Sequence, residues 1–348
     1  MTFIASRLQN FRAQNPDIDR WQYRDSNYGA WETFRAQSND PAGIVNQDLR
    51  NKAIQAAGGT DIEIPVIDYK AATIQNVTQP LVVAADPLTS ALMAISFVDY
   101  YFGFKINRAQ FQNNELRMRQ EFNTQMRRYT LALQDDLDAA CITLLETSKT
   151  QVANDLLGGR YTFAANTYQA PLAERDALIG DLKPLGRGND FNGGWDIIGN
   201  PSLESHVRNN LQEFGMNNER DKTYQWAEHT WRFTNNVTNA ASQLYTGFAL
   251  QKGTVGALFQ YLPDHLLNHS SHNHSWTIQP IPGLDFNMGV YAYDGAVDGS
   301  GLNASTAHLT ATLEEAFGFH VRVALYTNYI SDRATIPSPQ YKFQCANA

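Results

Sequence analysis

The chain has 348 residues, of which 43% are hydrophobic and 18% are charged, and its net charge is −8. This length favours about two domains, and the apolar content suffices for a sizeable core. The charged fraction is below the roughly 25% usual for soluble domains, so the amide-rich surface suits polar contacts between subunits. No segment is basic enough to predict a nucleic-acid-binding surface. No apolar run approaches the roughly 20 residues that span a bilayer.

The two cysteines, Cys141 and Cys345, form neither a CxxC pair nor a disulfide framework. They are expected to be buried or free thiols in a reducing compartment. The N-terminal residues meet a charge before any apolar stretch of signal length, so no secretion signal is predicted. These features together indicate a cytoplasmic protein without a membrane segment.

Residues 1–56 are polar with scattered aromatic residues, and Pro16 and Pro41 interrupt them. They predict an extended arm that carries short helices. The spacing of Trp31 and Phe34 is helical. The aromatic residues either anchor the arm on another surface or pack on their own domain, and the sequence leaves both readings open.

A long two-stranded hairpin is predicted next. Asp61–Lys70 alternates β-branched residues, and Ala71–Asp86 has strand-forming residues on either side of Pro80. Ala91–Ile106 is dense in aromatic and β-branched residues, which predicts a further strand that is at least half buried.

The clearest periodic segment is a helix over Asn107–Lys149, roughly 60 Å long. Its apolar positions recur mostly every four residues and form one face. They are Phe111, Met118, Phe122, Met126, Tyr129, Leu133, Leu137, Cys141 and Leu144. The other faces are basic in the first half and acidic in the second, which is the reverse of what the helix dipole favours. Pairing between subunits or a merely solvated face would explain these charges.

The remaining chain predicts a mixed domain. Residues 160–200 are turn-rich apart from a strand at Trp195–Ile198, and a helix is expected from Leu203 to about Phe214. Residues 238–250 are predicted to be helical. Strands are predicted at Thr223–Thr234, within Gly256–Leu267, and repeatedly from Trp276 to the C-terminus.

Few residues suggest chemistry. The polar segment with His265, His269, His272 and His274, next to Asp264, contains an H-x3-H spacing that zinc accepts. Without HExxH, an exposed polar loop is the favoured interpretation. Asp135, Asp136 and Asp138, and likewise Glu314 and Glu315, are interpreted as solvated carboxylates. The glycines Gly186, Gly188 and Gly193 lack the GxGxxG spacing, and no phosphate-binding or nucleophile-elbow motif occurs. No catalytic, cofactor-binding or metal-ligating residue is assigned.

The order of these elements resembles the major capsid proteins of tailed bacteriophages with the HK97-type α+β fold, among them those of crAss-like phages. The resemblance covers about Gln47 to the C-terminus and rests on element order, carried by segments such as IIGNPSLESHVRNNL and HVRVALYTNYI. It implies five parts. They are an N-terminal arm (1–56), an extended β-hairpin loop (57–90), a peripheral domain with a long spine helix (91–160), an axial domain with returning strands (161–330) and a C-terminal peripheral strand (331–348).

The resemblance implies a non-enzymatic shell subunit that needs no cofactor. Pentamers and hexamers of the chain would form an icosahedral head around the DNA genome, assembled in the host bacterial cytoplasm. Scaffolding, portal and auxiliary capsid proteins would be partners, and packaged DNA would be contacted weakly without sequence specificity. Because the chain retains Met1, a separate scaffolding protein or the arm itself would direct assembly.

Three alternatives remain open at this point. An encapsulin-like compartment shell would share the fold and would be distinguished by cargo encoded beside it. Another virion component, such as a tail or portal-associated protein, would form rings or tubes. A metal-dependent hydrolase would use the histidine cluster, and elemental analysis would detect its metal.

Overall fold

The computed structural model describes residues 13, 28–39, 51, 62–67, 90–107, 114–213, 224–226, 229–261, 274–281, 284, 286–294, 314–327 and 336–347. Within these residues the α-helices are α1 (Gly29–Ser38), α2 (Glu115–Ser148), α3 (Arg175–Gly188) and α4 (Pro201–Glu213). The strands are β1 (Ile62–Ile67), β2 (Ser90–Ile95), β3 (Val98–Asn107), β4 (Thr162–Ala164), β5 (Thr167–Ala170), β6 (Trp195–Gly199), β7 (Tyr224–Trp226), β8 (His229–Phe233), β9 (Gln243–Gln251), β10 (Val255–Gln260), β11 (His274–Pro280), β12 (Asn287–Asp294), β13 (Glu314–Thr327) and β14 (Gln340–Ala346). The predicted combination of helices and strands is confirmed.

The described strands form three sheets. β1 and β2 make a separate antiparallel pair. In a five-stranded antiparallel sheet, β13 pairs with β3, β10 and β12, and β12 also pairs with β11. The seven-stranded sheet has the order β4-β5-β14-β9-β6-β8-β7, and its parallel pairs are β5 with β14 and β6 with β8.

Helix α2, which we call the spine helix, begins later than predicted. Asn107 still belongs to β3, and Asn114 caps the helix, because its side chain accepts a hydrogen bond from the Arg117 amide at 3.2 Å. The helix has 34 residues, which corresponds to about 51 Å. Its predicted apolar stripe is confirmed from Met118 onward, because these residues are buried, apart from Tyr129 and Leu144, which are partly buried. Phe111 lies outside the described residues.

The spine helix packs on the five-stranded sheet through aromatic rings. Phe102 of β3 stacks between Tyr129 of the helix and Phe319 of β13, with ring centroids 5.5 and 4.7 Å apart. Phe122 of the helix meets Phe317 of β13 edge to face at 4.9 Å. Because stacked and edge-to-face aromatic pairs contribute beyond their buried area, this layer fixes the helix on the sheet.

A second core lies in the seven-stranded sheet and is covered by α3 and α4. Trp195, Trp231 and Tyr341 are fully buried there. The strand pairing does not follow the predicted domain ranges. β13 belongs to the range 161–330 but pairs with β3, which belongs to 91–160. β14 belongs to 331–348 but pairs with β5 and β9, which belong to 161–330. The five ranges themselves stay predictions.

Several predicted elements need correction. The single strand Ala91–Ile106 is two strands, because residues 96–97 break it. The predicted helix at 238–250 is wrong, since β9 occupies Gln243–Gln251 and is flanked by strands on both sides. A strand buried on both faces shows no alternation, so its pattern cannot be told from a buried helix.

The turn-rich assignment of residues 160–200 also missed α3. Its buried residues Leu178, Ile179, Leu182 and Leu185 recur at helical spacing, and Pro184 lies inside the helix. The predicted helix from Leu203 is confirmed as α4, which starts at Pro201. Asn200 precedes it and accepts a hydrogen bond from the Leu203 amide at 2.9 Å.

One buried histidine of the second core has no hydrogen-bond partner. His229 begins β8 opposite Trp195 of β6, and both of its ring nitrogens are unsatisfied. Burial, together with the charges of Lys183 and Lys252, lowers the pKa of His229 from 6.5 to about 4. The folded chain therefore holds this imidazole neutral, because an uncompensated buried charge is costly.

We expect this histidine to make the fold acid-sensitive. Above pH 6.5 both folded and unfolded chains carry neutral His229. Between pH 6.5 and about 4 only the unfolded chain takes up the proton, so the free energy of unfolding falls by up to about 3 kcal/mol. Urea unfolding at several pH values should show this loss, and a His229→Phe variant should lack that part of it. Equal pH dependence in both proteins would contradict the expectation.

Candidate assembly site

The strands β1 and β2 form a two-stranded ribbon outside both larger sheets. Their register places Ile62, Ile64 and Val66 opposite Ile95, Met93 and Ala91. Residues opposite one another in an antiparallel pair lie on the same face. These six register positions all hold apolar residues, and we call them the apolar face of the ribbon. Ile95, at the end nearest β3, is buried.

The ribbon differs from the predicted hairpin in its second strand. The predicted strand Ala71–Asp86 lies outside the described residues, and the partner of β1 is Ser90–Ile95. That segment was assigned to the following strand, since its composition is equally strand-like. The predicted hairpin of Asp61–Lys70 with Ala71–Asp86 therefore stays a prediction.

Helix α1, the arm helix, packs on its own subunit. Trp31 and Phe34 are buried, and the Trp31 ring meets Phe259 and Phe286 edge to face at 6.1 and 5.9 Å. Gly29 lies against β8, where a Cβ would approach the Phe233 carbonyl oxygen to 2.5 Å. Of the two readings of the arm aromatics, packing on the same domain is correct for this helix. The aromatic residues before Tyr28 lie outside the described residues.

A carboxylate of the spine helix caps the arm helix. No side chain of α1 caps its own N-terminus. Asp138 Oδ1 instead accepts a hydrogen bond from the Trp31 amide at 2.9 Å, and Oδ2 accepts from Thr234 Oγ1 at 2.5 Å and Asn236 Nδ2 at 2.9 Å. The prediction that Asp138 is solvated is wrong, because the residue is fully buried.

The surroundings of Asp138 have two opposing effects on the pKa of its carboxyl group. Burial raises the pKa of this carboxyl, and the hydrogen bonds from Thr234, the Trp31 amide, Asn236 and the Ala30 amide lower it in part. The amides belong to the first turn of the arm helix, where unpaired N–H groups and the helix dipole favour a negative charge. The carboxylate therefore joins the arm helix, the spine helix and the turn after β8.

The other end of the arm helix is held by Gln37 and Ser38. Gln37 Oε1 accepts hydrogen bonds from the Gly253, Thr254 and Val255 amides at 3.1–3.2 Å, and its Nε2 donates to buried Asp196 at 2.8 Å. Ser38 Oγ accepts from the Ala257 amide at 2.6 Å. Both ends of the arm helix are thus fixed by buried polar contacts.

The spine helix keeps one exposed face with charges of both signs. Arg117, Arg127 and Arg128 are exposed, and so are Asp135 and Asp136, as the sequence predicted for these two carboxylates. Among the described residues, no helix is both long and apolar enough to cross a membrane.

The residues that suggested chemistry do not form a site in the described part of the chain. His265, His269 and His272 lie outside it, and His274 is the first residue of β11. No group of three or more His, Cys, Asp or Glu residues suited to a metal ion occurs among the described residues. Glu315 is buried in β13, contrary to the prediction, because it lies opposite Ile106 on the face toward the spine helix. Cys141 and Cys345 are buried free thiols.

Replacing Asp138 should destabilise the subunit. An Asp138→Asn side chain cannot accept all the hydrogen bonds that the carboxylate accepts, and its amide would face other donors. We expect the free energy of unfolding to fall by about 2–4 kcal/mol, as measured by urea unfolding of unassembled subunits. Asp135→Asn, on the exposed face of the same helix, is the matched control and should change it by less than about 0.5 kcal/mol. Equal effects in both variants would refute the capping role.

Comparison with known proteins finds similarity at the level of structure only. No protein-family model matches the chain, and no curated protein matches its sequence. The capsid asymmetric unit of cyanophage Pam1 is 12% identical over 94% of each chain, with a TM-score of 0.49. That of cyanophage A-1(L) is 9% identical over 92% of this chain and 93% of its own, also at 0.49. A structure from Mycobacterium phage Che8 is 12% identical over 87% of this chain and 89% of its own, with a TM-score of 0.47. The chain is similar to structures of phage capsids, the class of protein that its sequence resembles.

Proposed function

We propose that this chain is a major capsid protein that assembles into pentamers and hexamers of an icosahedral phage head around the DNA genome. It acts by subunit contacts and without catalysis. The observation that carries the proposal is the ribbon of β1 and β2, which pairs with neither larger sheet and has apolar residues at alternate register positions of both strands.

An isolated two-stranded ribbon is marginally stable in water. Covering its apolar face would stabilise it, and a neighbouring subunit would supply that cover in a shell. The rest of the chain is built as a stable platform, because the arm helix, the spine helix and the five-stranded sheet share one core. The ribbon would be the extended loop, the spine helix and its sheet the peripheral domain, and the seven-stranded sheet the axial domain of an HK97-type subunit.

The proposed partners follow from this role. The chain would contact further copies of itself first, and scaffolding, portal and auxiliary capsid proteins during head assembly. Packaged DNA would be contacted weakly and without sequence specificity, since the net charge is −8 and a strongly basic lining would be needed to grip phosphates. The subunit would assemble in the host cytoplasm and end in the virion.

Electron microscopy of the purified chain, alone and beside candidate scaffolding proteins, tests the proposal directly. Closed shells with pentameric and hexameric units are expected. Rings or tubes would favour another virion component. A monodisperse monomer at high concentration under all these conditions would overturn the proposal.

The ribbon can be tested without disturbing the platform. Ile64→Asp places a carboxylate at the centre of the apolar face, and burying it unpaired costs more than about 1.4 kcal/mol, so shell yield should fall at least about tenfold. Circular dichroism should stay unchanged, because the ribbon lies outside both larger sheets. Glu63→Gln, at the neighbouring exposed position on the opposite face, is the matched control and should assemble normally. Normal assembly of the Ile64→Asp variant would show that the apolar face is not an interface.

A further inference from the structure

The exposed face of the spine helix carries a stripe whose charge pattern complements itself. We define the spine stripe as Thr124, Arg128, Ala132, Asp135 and Ala139. All five are exposed. Their spacings of four, four, three and four residues place them along one face of the helix. The stripe thus has a cation on one side of a small central residue and an anion on the other.

Two other sides of the helix are covered by the same chain. The arm helix lies on one side, where Asp138 binds the Trp31 amide and the Leu131 carbonyl accepts a hydrogen bond from the Tyr28 hydroxyl at 3.2 Å. The five-stranded sheet lies on another side, against Phe122 and Tyr129. The spine stripe lies on the face that these two contacts leave exposed, together with Arg127 and Asp136.

When two copies of the spine helix pack antiparallel, the charges of one spine stripe lie opposite the opposite charges of the other. Arg128 and Asp135 are seven residues apart, which is two turns and about 10.5 Å along the axis. When two copies pack antiparallel about a two-fold axis between residues 131 and 132, each Arg128 lies opposite the Asp135 of the other copy. The same register sets Thr124 opposite Ala139. A two-fold contact of this kind uses one surface patch on both subunits.

The small side chains make such an approach geometrically feasible. Ala132 lies beside the axis, and Thr124 and Ala139 lie at the flanks, so three of the five stripe positions carry small side chains. Asp136 adds negative charge at the acidic end, and Arg127 adds positive charge at the basic end. The acidic end also disfavours nucleic acid as the occupant, because phosphates would be repelled by Asp135 and Asp136.

From this charge complementarity we infer that the spine stripe is a contact between two copies of the chain, related by a two-fold axis. The inference rests on the proposed assembly function and specifies one of its interfaces. Two-fold axes of a closed icosahedral shell relate subunits of neighbouring pentamers and hexamers. The spine stripe is therefore a contact between these units, whereas the ribbon joins subunits by its apolar face.

A charge exchange tests the pairing. Arg128→Asp gives a copy with two acidic positions in the stripe, and Asp135→Arg gives one with two basic positions. Each variant alone should lose shell formation, because like charges face one another in both pairs. An equimolar mixture should recover it, because each acidic position then meets a basic one. Both positions are exposed, so both variants should keep the unfolding transition of the unaltered chain.

A cross-link tests the position of the axis. Ala132→Cys places two thiols beside the axis, and mild oxidation of assembled shells should yield a disulfide-linked dimer. Thr143→Cys is the exposed control. Its two copies would lie about 30 Å or more apart, and no dimer is expected. The native Cys141 and Cys345 are buried.

The outcomes separate this inference from the proposed function. If the unaltered chain forms shells but the mixture does not recover assembly, or Ala132→Cys gives no dimer, the spine stripe is not the two-fold contact and the capsid proposal stands. If the unaltered chain forms no shells under any condition, the proposed function itself fails. Recovery in the mixture together with the Ala132→Cys dimer would establish the contact.

Discussion

The subunit depends on the capping of the arm helix by a buried carboxylate more than one hundred residues away. Asp138 accepts hydrogen bonds from the Trp31 amide and from the side chains of Thr234 and Asn236. Its own side chain is buried away from water. Burying a charge is costly unless hydrogen bonds compensate it. Here the compensation comes from two separate parts of the chain, the arm helix and the turn after β8. The carboxylate is therefore stable only when both are docked on the spine helix, which makes their docking interdependent.

This constraint also decides which surfaces remain for other copies. Asp135, Asp136 and Asp138 occupy one turn of the spine helix, yet their surroundings differ because each residue rotates by about 100° around the axis. Asp138 falls beside the buried positions Leu137 and Cys141 and becomes the cap. Asp135 lies about 60° from Asp138 around the axis, farther from Leu137 and Cys141, and stays exposed. The arm helix thus fixes the orientation of the spine helix and leaves the spine stripe at the surface.

The sequence predicted the elements whose signals are local. The spine helix, β6 and α4 follow from apolar spacing, a short apolar run and a proline at a helix start. The cap by Asp138 could not be predicted, because its donors are distant in sequence. A helical projection does show the signal that was missed, since Asp138 adjoins the apolar stripe. The partner of β1 was also missed, because pairing depends on register and closure of a long connection, which composition does not encode.

The strengths of the two candidate interfaces explain why both would be needed. An exposed ion pair contributes about 0.2–1 kcal/mol and is screened by salt. A single pair of spine stripes, with its two Arg128–Asp135 contacts, is thus too weak to hold two free subunits together. The proposed ribbon contact would bury apolar surface, which salt does not screen, but it would need a neighbour placed in the right orientation. In a closed shell each contact raises the effective concentration for the next. Weak, directional ion pairs can therefore set the angle between neighbours, while the apolar ribbon supplies more of the binding free energy.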